Sequence, residues 1–254
     1  MLGFFGCRTG IARDRRLVID LCRIAGSLPL YPLERTMHLG ELAAIRQAAS
    51  PRISWPVLFM KAYGLVAAQE PRLRQSYIRW PWPHLLHHRE SVAMLAVNRR
   101  HGDAERLCWG RFIEPEHRAL ADLQAELERY KTEPVEEIFR RQVRLSYFPS
   151  ILRRLAWWLA LNTSGSKRGK RVGTFGMSTV AGQGGLNHYH PSCLTTSITY
   201  GPLDAAGRMA VTLVFDHRVI DGAPLAAALA RLEEVLNGPI ARELADLQRH
   251  SRAA

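Results

Sequence analysis

The stretch RMAVTLVFDHRVIDGAPLAAALARLEEVLNGP, residues 208–239, decides the fold class of this chain. Its first part, residues 208–215, is a nearly continuous apolar run, which is typical of a β-strand buried on both faces. Its last part, residues 223–236, predicts a long helix that the following Asn-Gly-Pro sequence ends. His217 and Asp221 lie between the two elements, at a strand end of the kind that often carries active-site residues in α/β proteins.

Outward from this stretch, the patterning of apolar residues predicts alternating strands and helices. Apolar residues at every second position, or in short runs, indicate strands, whereas an apolar stripe along one face indicates a helix. The pattern predicts strands at residues 31–39, 91–98, 108–113, 173–178 and 194–200, and helices at residues 13–25, 40–49, 54–70 and 115–131. The sequence therefore predicts an α/β protein with a mixed sheet, in a single domain over residues 1–254.

His217, Asp221 and Gly222 form the pattern His-x-x-x-Asp-Gly, which is a candidate catalytic motif. An imidazole can act as a general base near neutral pH. Asp221 is close in sequence, so pairing with an arginine that holds the turn is an alternative to orienting His217 directly. On spacing alone the pattern is a weak signal, and a purely structural histidine is the alternative interpretation.

Several segments resemble the catalytic domain of the 2-oxoacid dehydrogenase acyltransferases, the dihydrolipoyl acyltransferases, whose fold is shared with chloramphenicol acetyltransferase. FDHRVIDGAPLAAALARLEEVLNGP, residues 215–239, resembles the family's C-terminal signature. GTFGMS, residues 173–178, followed by a Gly-rich turn and Pro-Ser, resembles the GTFTIS…NPP segment. Residues 54–71 resemble the KAxALAL helix, and residues 15–25 resemble the RKxIA helix. Asp216 stands where chloramphenicol acetyltransferases usually carry a second histidine, which favours the dihydrolipoyl branch.

This resemblance implies a chloramphenicol acetyltransferase-like two-layer fold, a mixed β-sheet covered by helices, and an acyltransferase activity. It implies that His217 is the general base, that Ser178 donates a hydrogen bond to the oxyanion, and that Asp221 forms a structural ion pair. Arg15 and Arg16 both fit as the partner of that ion pair. The implied substrate is coenzyme A or acyl-coenzyme A, with no covalently bound cofactor and no metal. The implied assembly is a homotrimer whose active sites lie between subunits, with the histidine and the serine from different chains.

Three features depart from the family pattern. The sequence has no Asp-Lys-Ala lipoyl-attachment motif, linker or subunit-binding segment, which predicts a stand-alone enzyme served by acyl-coenzyme A or a separate acyl carrier. The sequence ARELADLQRHSRAA, residues 241–254, lacks an apolar tail, which predicts an assembly that stops at the trimer. Residues 135–171 have no counterpart and predict an unusual insertion near the substrate channel. The acyl group and the acceptor are left open.

The net charge is +12, from 35 Lys and Arg and 23 Asp and Glu in 254 residues, and it indicates an anionic partner. Residues 138–203 contain no acidic residue. Within them, RRLAWWLALNTSGSKRGKR, residues 153–171, places Trp157 and Trp158 between two basic clusters, a pattern typical of helices at anionic membrane surfaces. A helix packed on the domain with solvated arginines is the alternative. No nucleic-acid-binding motif is found, so nucleic acid is not an expected partner.

The remaining candidate residues favour structural interpretations. Four widely spaced cysteines predict reduced, mostly buried thiols and a cytoplasmic protein, with peripheral membrane contact as an alternative. The start of the sequence predicts no signal peptide, and no apolar run is long enough to span a bilayer. Three further expectations are a pocket wall at His188 and His190, surface positions for His84, His87 and His88, and anchoring in the core for Trp80 and Trp82.

Two functions stand beside a stand-alone acyltransferase. One is a non-catalytic trimeric binding or scaffold protein derived from the same core, which the missing carrier arm favours. The other is a membrane-surface lipid acyltransferase, which the basic segment with two tryptophans favours.

Overall fold

The computed structural model describes residues 9–101, 104–163 and 168–253, so Cys7 and Lys167 lie outside the described residues. The α-helices are α1 (Arg16–Ala25), α2 (Gly40–Ala48), α3 (Trp55–Gln69), α4 (Leu120–Thr132), α5 (Val135–Ile138), α6 (Arg140–Tyr147), α7 (Ser150–Asn162), α8 (Arg168–Val172), α9 (Gly222–Val235) and α10 (Ala241–Ala253). The β-strands are β1 (Leu30–His38), β2 (Gln75–Ile78), β3 (His84–His87), β4 (Val92–His101), β5 (Ala104–Ile113), β6 (Phe175–Met177), β7 (Thr196–Tyr200) and β8 (Arg208–Asp216).

A six-stranded mixed sheet forms the centre of the fold, in the order β1-β8-β7-β6-β4-β5. β6 pairs in parallel with both β4 and β7, whereas the other neighbouring strands pair antiparallel. The predicted mixed sheet in an α/β fold is therefore confirmed. β8 is buried along most of its length, as its apolar run predicts.

Helix α3 is fastened to the middle of the sheet by aromatic side chains. The Tyr63 hydroxyl lies 2.6 Å from the Thr196 hydroxyl of β7. The Tyr63 ring packs on Phe175 of β6, with ring centroids 4.5 Å apart. One helical turn earlier in α3, the Phe59 ring stacks on Tyr200 of β7, with ring centroids 4.5 Å apart. These buried contacts fix β6 and β7, the strands that carry one part of the candidate site.

The helix expected to end at the Asn-Gly-Pro sequence does not end there. Residues Leu236–Ile240 form one π-helical turn that contains Pro239, and α10 continues from it. A wide i→i+5 turn lets helical backbone pass a proline, which has no N–H to donate. Leu236 and Ile240 are fully buried, and their burial favours continuation over a break.

The segment 135–171 folds against the sheet rather than projecting from it. Asp20 of α1 accepts a hydrogen bond from the Arg153 guanidinium of α7 at 2.6 Å, and both side chains are buried. Arg106 of β5 donates to the Ser146 hydroxyl of α6 at 3.1 Å. The alternative of a helix packed on the domain is thus confirmed for α7, but its solvated arginines at the helix ends do not include Arg153. The carboxylate of Asp20 offsets the cost of burying the charge of Arg153.

A two-stranded hairpin, β2 with β3, is an element that the sequence patterning did not predict. Its connection carries Trp80 and Trp82, which are 55% and 68% exposed. The expectation that these tryptophans are anchored in the core is therefore wrong. The backbone N–H of Trp80 donates to the Asn162 carbonyl at 3.1 Å, so the hairpin connection lies beside the end of α7.

Candidate active site

His217 lies just after β8, in a turn that leaves its ring partly open to solvent. Its backbone N–H donates to the Pro29 carbonyl at 3.2 Å. Its ring packs edge-on against Tyr31, with 5.5 Å between centroids, and its side chain is 47% exposed. The Nδ1 atom lies 3.3 Å from a carboxylate oxygen of Asp221. An imidazole oriented at one nitrogen can accept a proton at the other.

The residues on either side of His217 form an ion pair that sequence reasoning missed. Asp216 is 4% exposed and accepts hydrogen bonds from the backbone N–H of Arg218 at 3.0 Å and from its guanidinium at 2.6 Å. The Arg218 guanidinium also lies over the Tyr77 ring, 4.3 Å from its centroid. This double attachment fixes the turn from which the His217 side chain projects. Opposite charges two residues apart were the available signal in the sequence.

The ion pair expected between Asp221 and Arg15 or Arg16 is not formed. Asp221 is 80% exposed at its side chain, and its carboxylate faces His217. Arg16 lies at the start of α1 and donates to the Ser146 carbonyl at 3.5 Å instead. Asp221 precedes the first residue of α9, where a carboxylate is favoured by the helix dipole, so its position has a local cause.

Ser178 immediately follows β6 and forms part of the wall of a cavity. Its backbone N–H donates to the Ile198 carbonyl of β7 at 3.0 Å, so its position is fixed by the sheet. Its side chain is half-buried. A hydroxyl in this position can donate a hydrogen bond to a substrate that enters the cavity.

Ser178 and His217 lie towards opposite ends of the sheet within one chain. Met177 is level with Ile198 of β7, which is level with Leu213 of β8. β6 runs parallel to β7 but opposite to β8, so the chain reaches Ser178 and His217 by moving in opposite directions. Ser178 lies one residue beyond Met177, and His217 lies four residues beyond Leu213 in the opposite direction. These five residue steps of about 3.4 Å give a separation of about 17 Å along the strand direction. One chain therefore does not bring these two side chains into a shared site.

The cavity at Ser178 has a volume of about 310 Å³ and a predominantly apolar wall. Four parts of the fold contribute to it: α1, the strands β4 to β6, helices α6 to α8, and the loop before β7. The apolar wall includes Leu21, Leu107, Leu145, Trp157 and Met177. This volume is at the lower end of the range for small-molecule sites, about 300–1,000 Å³.

His190 and Ser197 form a buried polar pair at the wall of this cavity. The Nε2 atom of His190 lies 2.5 Å from the Ser197 hydroxyl, and His190 is 7% exposed. Burial lowers the pKa of His190 to about 4, so its ring is neutral at pH 7. Gly176 makes room for the pair, because a Cβ there would clash with the Ser197 hydroxyl. The expectation that His190 lines a pocket is confirmed.

Lowering the pH from 7 to 5 is expected to remove about 2 kcal/mol of the free energy of unfolding through His190 alone. The folded-state pKa of about 4 lies below the ordinary value of 6.5, so the unfolded chain takes up the proton first. The contribution is present above pH 6.5 and is lost as the pH falls through 4. Urea unfolding at both pH values should show a smaller loss for His190→Gln. The exposed control His117→Gln should keep the wild-type loss, and an unchanged pH dependence in His190→Gln would contradict the assignment.

The expectations about three other residues have different outcomes. His88 is buried at 9% exposure, not at the surface, and burial lowers its pKa to about 4. Its Nε2 atom lies 3.0 Å from the Ser76 hydroxyl, and this hydrogen bond offsets part of the cost of burying the polar ring. Cys22 is exposed rather than buried, and it lies at the cavity wall. Cys108 is buried, as predicted, and burial raises the pKa of its thiol to about 11.

Comparison with known proteins relates residues 195–243 to an enzyme family. This range matches the family model of the 2-oxoacid dehydrogenases acyltransferase catalytic domain, and it contains both His217 and Asp221. No curated protein sequence matches the chain. The resemblance inferred from the sequence is therefore confirmed over these residues.

Solved structures extend the comparison to most of the chain. A truncated catalytic core of the 2-oxoacid dehydrogenase multienzyme complex from Thermoplasma acidophilum is 16% identical, with a TM-score of 0.67 over 92% of this chain and 99% of that one. Dihydrolipoamide acetyltransferase from Azotobacter vinelandii is 18% identical, with a TM-score of 0.64 over 92% and 93% of the two chains. A chloramphenicol acetyltransferase is 11% identical, with a TM-score of 0.52 over 89% and 96%. The chain therefore has the chloramphenicol acetyltransferase-like fold, as predicted.

The described part of the chain offers neither a membrane-spanning helix nor a metal site. None of its helices is long and apolar enough to cross a membrane. No three His, Cys, Asp or Glu side chains come together there in a group able to hold a metal ion.

Proposed function

We propose that this protein transfers an acyl group from coenzyme A, or from another thioester carrier, to a thiol, hydroxyl or amine acceptor. The observation that carries the proposal is the placement of His217. It lies at the end of β8 within the range that matches the acyltransferase catalytic domain, with its ring partly exposed and its Nδ1 atom 3.3 Å from Asp221.

The proposed reaction uses His217 as general base and Ser178 as the oxyanion donor. His217 removes the proton from the acceptor, which forms a bond to the carbonyl carbon of the thioester. The oxyanion of the tetrahedral intermediate accepts a hydrogen bond from the Ser178 hydroxyl. When the intermediate collapses, the carbon–sulfur bond breaks and the leaving thiolate takes the proton from His217.

A site that uses both residues needs two subunits, since Ser178 and His217 lie towards opposite ends of one sheet. We therefore include a homotrimer in the proposal, with Ser178 of one subunit facing His217 of the next. The Azotobacter vinelandii structure was solved to study a serine, a histidine and an asparagine in the catalytic mechanism. The histidine and asparagine of that enzyme are four positions apart, as His217 and Asp221 are here.

Replacing Ser178 with alanine tests the oxyanion role. We expect Ser178→Ala to lower kcat roughly 10²–10³-fold, because one donor to the developing oxyanion is lost. The measurement is release of free coenzyme A from acyl-coenzyme A in the presence of a panel of acceptors. Ser27→Ala, at an exposed position after α1, is the matched control and should keep the wild-type rate. Wild-type kcat in Ser178→Ala would contradict the role.

The proposal as a whole fails if wild-type protein transfers no acyl group to any acceptor class. A melting temperature that coenzyme A leaves unchanged, together with that result, would favour the non-catalytic trimeric scaffold.

A second proposed property, peripheral contact with an anionic membrane, rests on the outer face of α7. This face exposes large apolar side chains next to the exposed tryptophans of the β2–β3 hairpin. The exposed apolar residues are Phe148 (45%), Ile151 (75%), Leu152 (49%), Leu155 (51%), Trp158 (42%) and Leu159 (46%). Exposed arginines, among them Arg140, Arg144 and Arg154, lie on α6 and α7 and complement an anionic lipid surface. Such contact would make a lipid acyl donor or acceptor accessible to the enzyme.

Co-sedimentation with vesicles tests the membrane contact. We expect wild-type protein to bind phosphatidylglycerol vesicles, and binding to fall several-fold when Ile151 and Leu155 are replaced by glutamate, because charged side chains oppose insertion into the interface. Raising the salt concentration should also weaken binding. The control Tyr189→Glu changes an exposed aromatic residue elsewhere in the fold, at 45% exposure. Equal binding by all variants would exclude this face as the membrane contact.

A further inference from the structure

The cavity beside Ser178 has the wall of a hydrocarbon site. Aliphatic side chains from α1, β5 and α6 meet there with the ring of Trp157 from α7. Three alanines, Ala96, Ala156 and Ala160, also lie on the wall and leave space that larger side chains would fill. An apolar cavity of this kind gains free energy when a hydrocarbon group displaces its water.

The polar groups of the cavity favour a neutral interior and a charged entrance. His190 is neutral and paired with Ser197, so it offers no charge to a buried ligand. Arg141 and Arg171 contribute to the wall and are exposed, so their guanidinium groups remain in water. An amphiphile with an anionic end near these arginines and a hydrocarbon chain inside satisfies both parts.

We infer that the cavity binds the hydrocarbon chain of a medium-chain acyl group. Its volume of about 310 Å³ holds about ten carbons, at the roughly 30 Å³ that one water molecule occupies for each methylene. This inference rests on the proposed function, since it assigns the substrate class of the same site. Ser178 lies on the wall of the cavity, so a chain bound inside it brings its carbonyl group near the proposed oxyanion donor. Much of the wall comes from helices α6 to α8, the segment for which the sequence offered no counterpart.

Binding of free fatty acids measures the cavity without requiring any catalysis. Isothermal titration calorimetry with hexanoate, octanoate, decanoate and tetradecanoate should show Kd falling about fourfold for each methylene that enters the cavity. The fall should stop near ten carbons, where the cavity is full. Kd values that do not depend on chain length would overturn the inference.

Two substitutions in the cavity wall test the location of the chain. Ala160→Phe fills the cavity from α7 and should weaken decanoate binding at least tenfold, while octanoate and decanoate should become nearly equal. Trp157→Ala enlarges the cavity and should move the optimum to longer chains. Ala44→Phe makes the same change as Ala160→Phe at an exposed position of α2 and should leave every Kd at the wild-type value.

If circular dichroism and the melting curve show that Ala160→Phe does not fold, Trp157→Ala still tests the location of the chain. Unchanged chain-length dependence in folded Trp157→Ala would overturn the assignment of the cavity.

Failure of this inference is distinguishable from failure of the proposed function. Decanoate binding without acyl transfer would refute the proposed enzyme but keep the acyl site, whereas acyl transfer with no preference for decanoyl over acetyl thioesters would refute the site alone.

Discussion

Subunits carrying His217→Ala, mixed with subunits carrying Ser178→Ala, are expected to recover about one quarter of the wild-type rate of acyl transfer in a symmetric oligomer. His217→Ala alone should lower the rate roughly 10²–10⁴-fold, because the proposed general base would be absent from every site. In mixed trimers, some sites combine an intact Ser178 from one subunit with an intact His217 from its neighbour. Random pairing places both in about one site in four.

The measurement is the rate of coenzyme A release after the two variants are unfolded together and refolded, or co-expressed with different tags. The control is His217→Ala mixed with His117→Ala, in which one subunit type keeps both halves of the site. Absence of recovery, with trimers shown to contain both variants, would mean that the two residues do not share a site across subunits.

Asp20→Ala is expected to lower the free energy of unfolding by about 3–5 kcal/mol. Arg153 is only 7% exposed at its side chain, and its guanidinium donates to the Asp20 carboxylate at 2.6 Å. Removing the carboxylate leaves a buried positive charge without its partner, and the desolvation cost is then not offset. Urea unfolding followed by circular dichroism measures the change, and α7 should be the first element to lose protection from hydrogen exchange.

The double variant Asp20→Leu with Arg153→Met provides the comparison. It removes both charges and keeps similar volumes, so it should recover most of the stability that Asp20→Ala loses. Asp14→Ala is not a suitable control, because Asp14 forms an ion pair with the buried guanidinium of Arg106 and its removal would also leave a buried charge without that partner. Arg129→Ala, which breaks an exposed ion pair with Glu133, should cost no more than about 1 kcal/mol. A loss in Asp20→Ala as small as that would contradict the expectation.

Much of the fold follows from local patterning in the sequence. The apolar run that forms β8 and the amphipathic pattern of α4 each reflect burial on particular faces, and periodicity reports burial directly. The placement of His217 at a strand end also follows, because the strand and the following helix are both clear in the sequence. Ser178 was found only through resemblance, since a serine after a three-residue strand has no distinctive pattern.

The features that escaped prediction depend on contacts between distant segments. The cavity joins α1, β5 and α7, which are far apart in the sequence and individually resemble ordinary core elements. Arg153 looks solvated in a basic segment until Asp20 is placed beside it. The helix that passes Pro239 continues because Leu236 and Ile240 are buried by residues elsewhere in the chain. Local sequence patterns do not include the tertiary contacts that a proline or a charged residue makes in the folded protein.

The opposite directions of β6 and β8 have a consequence for how this protein behaves on dilution. Under the proposed function, each chain would carry two half-sites that face different neighbours, so a dissociated subunit would hold both functional groups and still lack a complete catalyst. Under the proposed function, activity per milligram then follows the law of mass action and falls once the protein is diluted below the dissociation constant of the assembly. Subunit association would thus set the activity of the enzyme as directly as substrate concentration does.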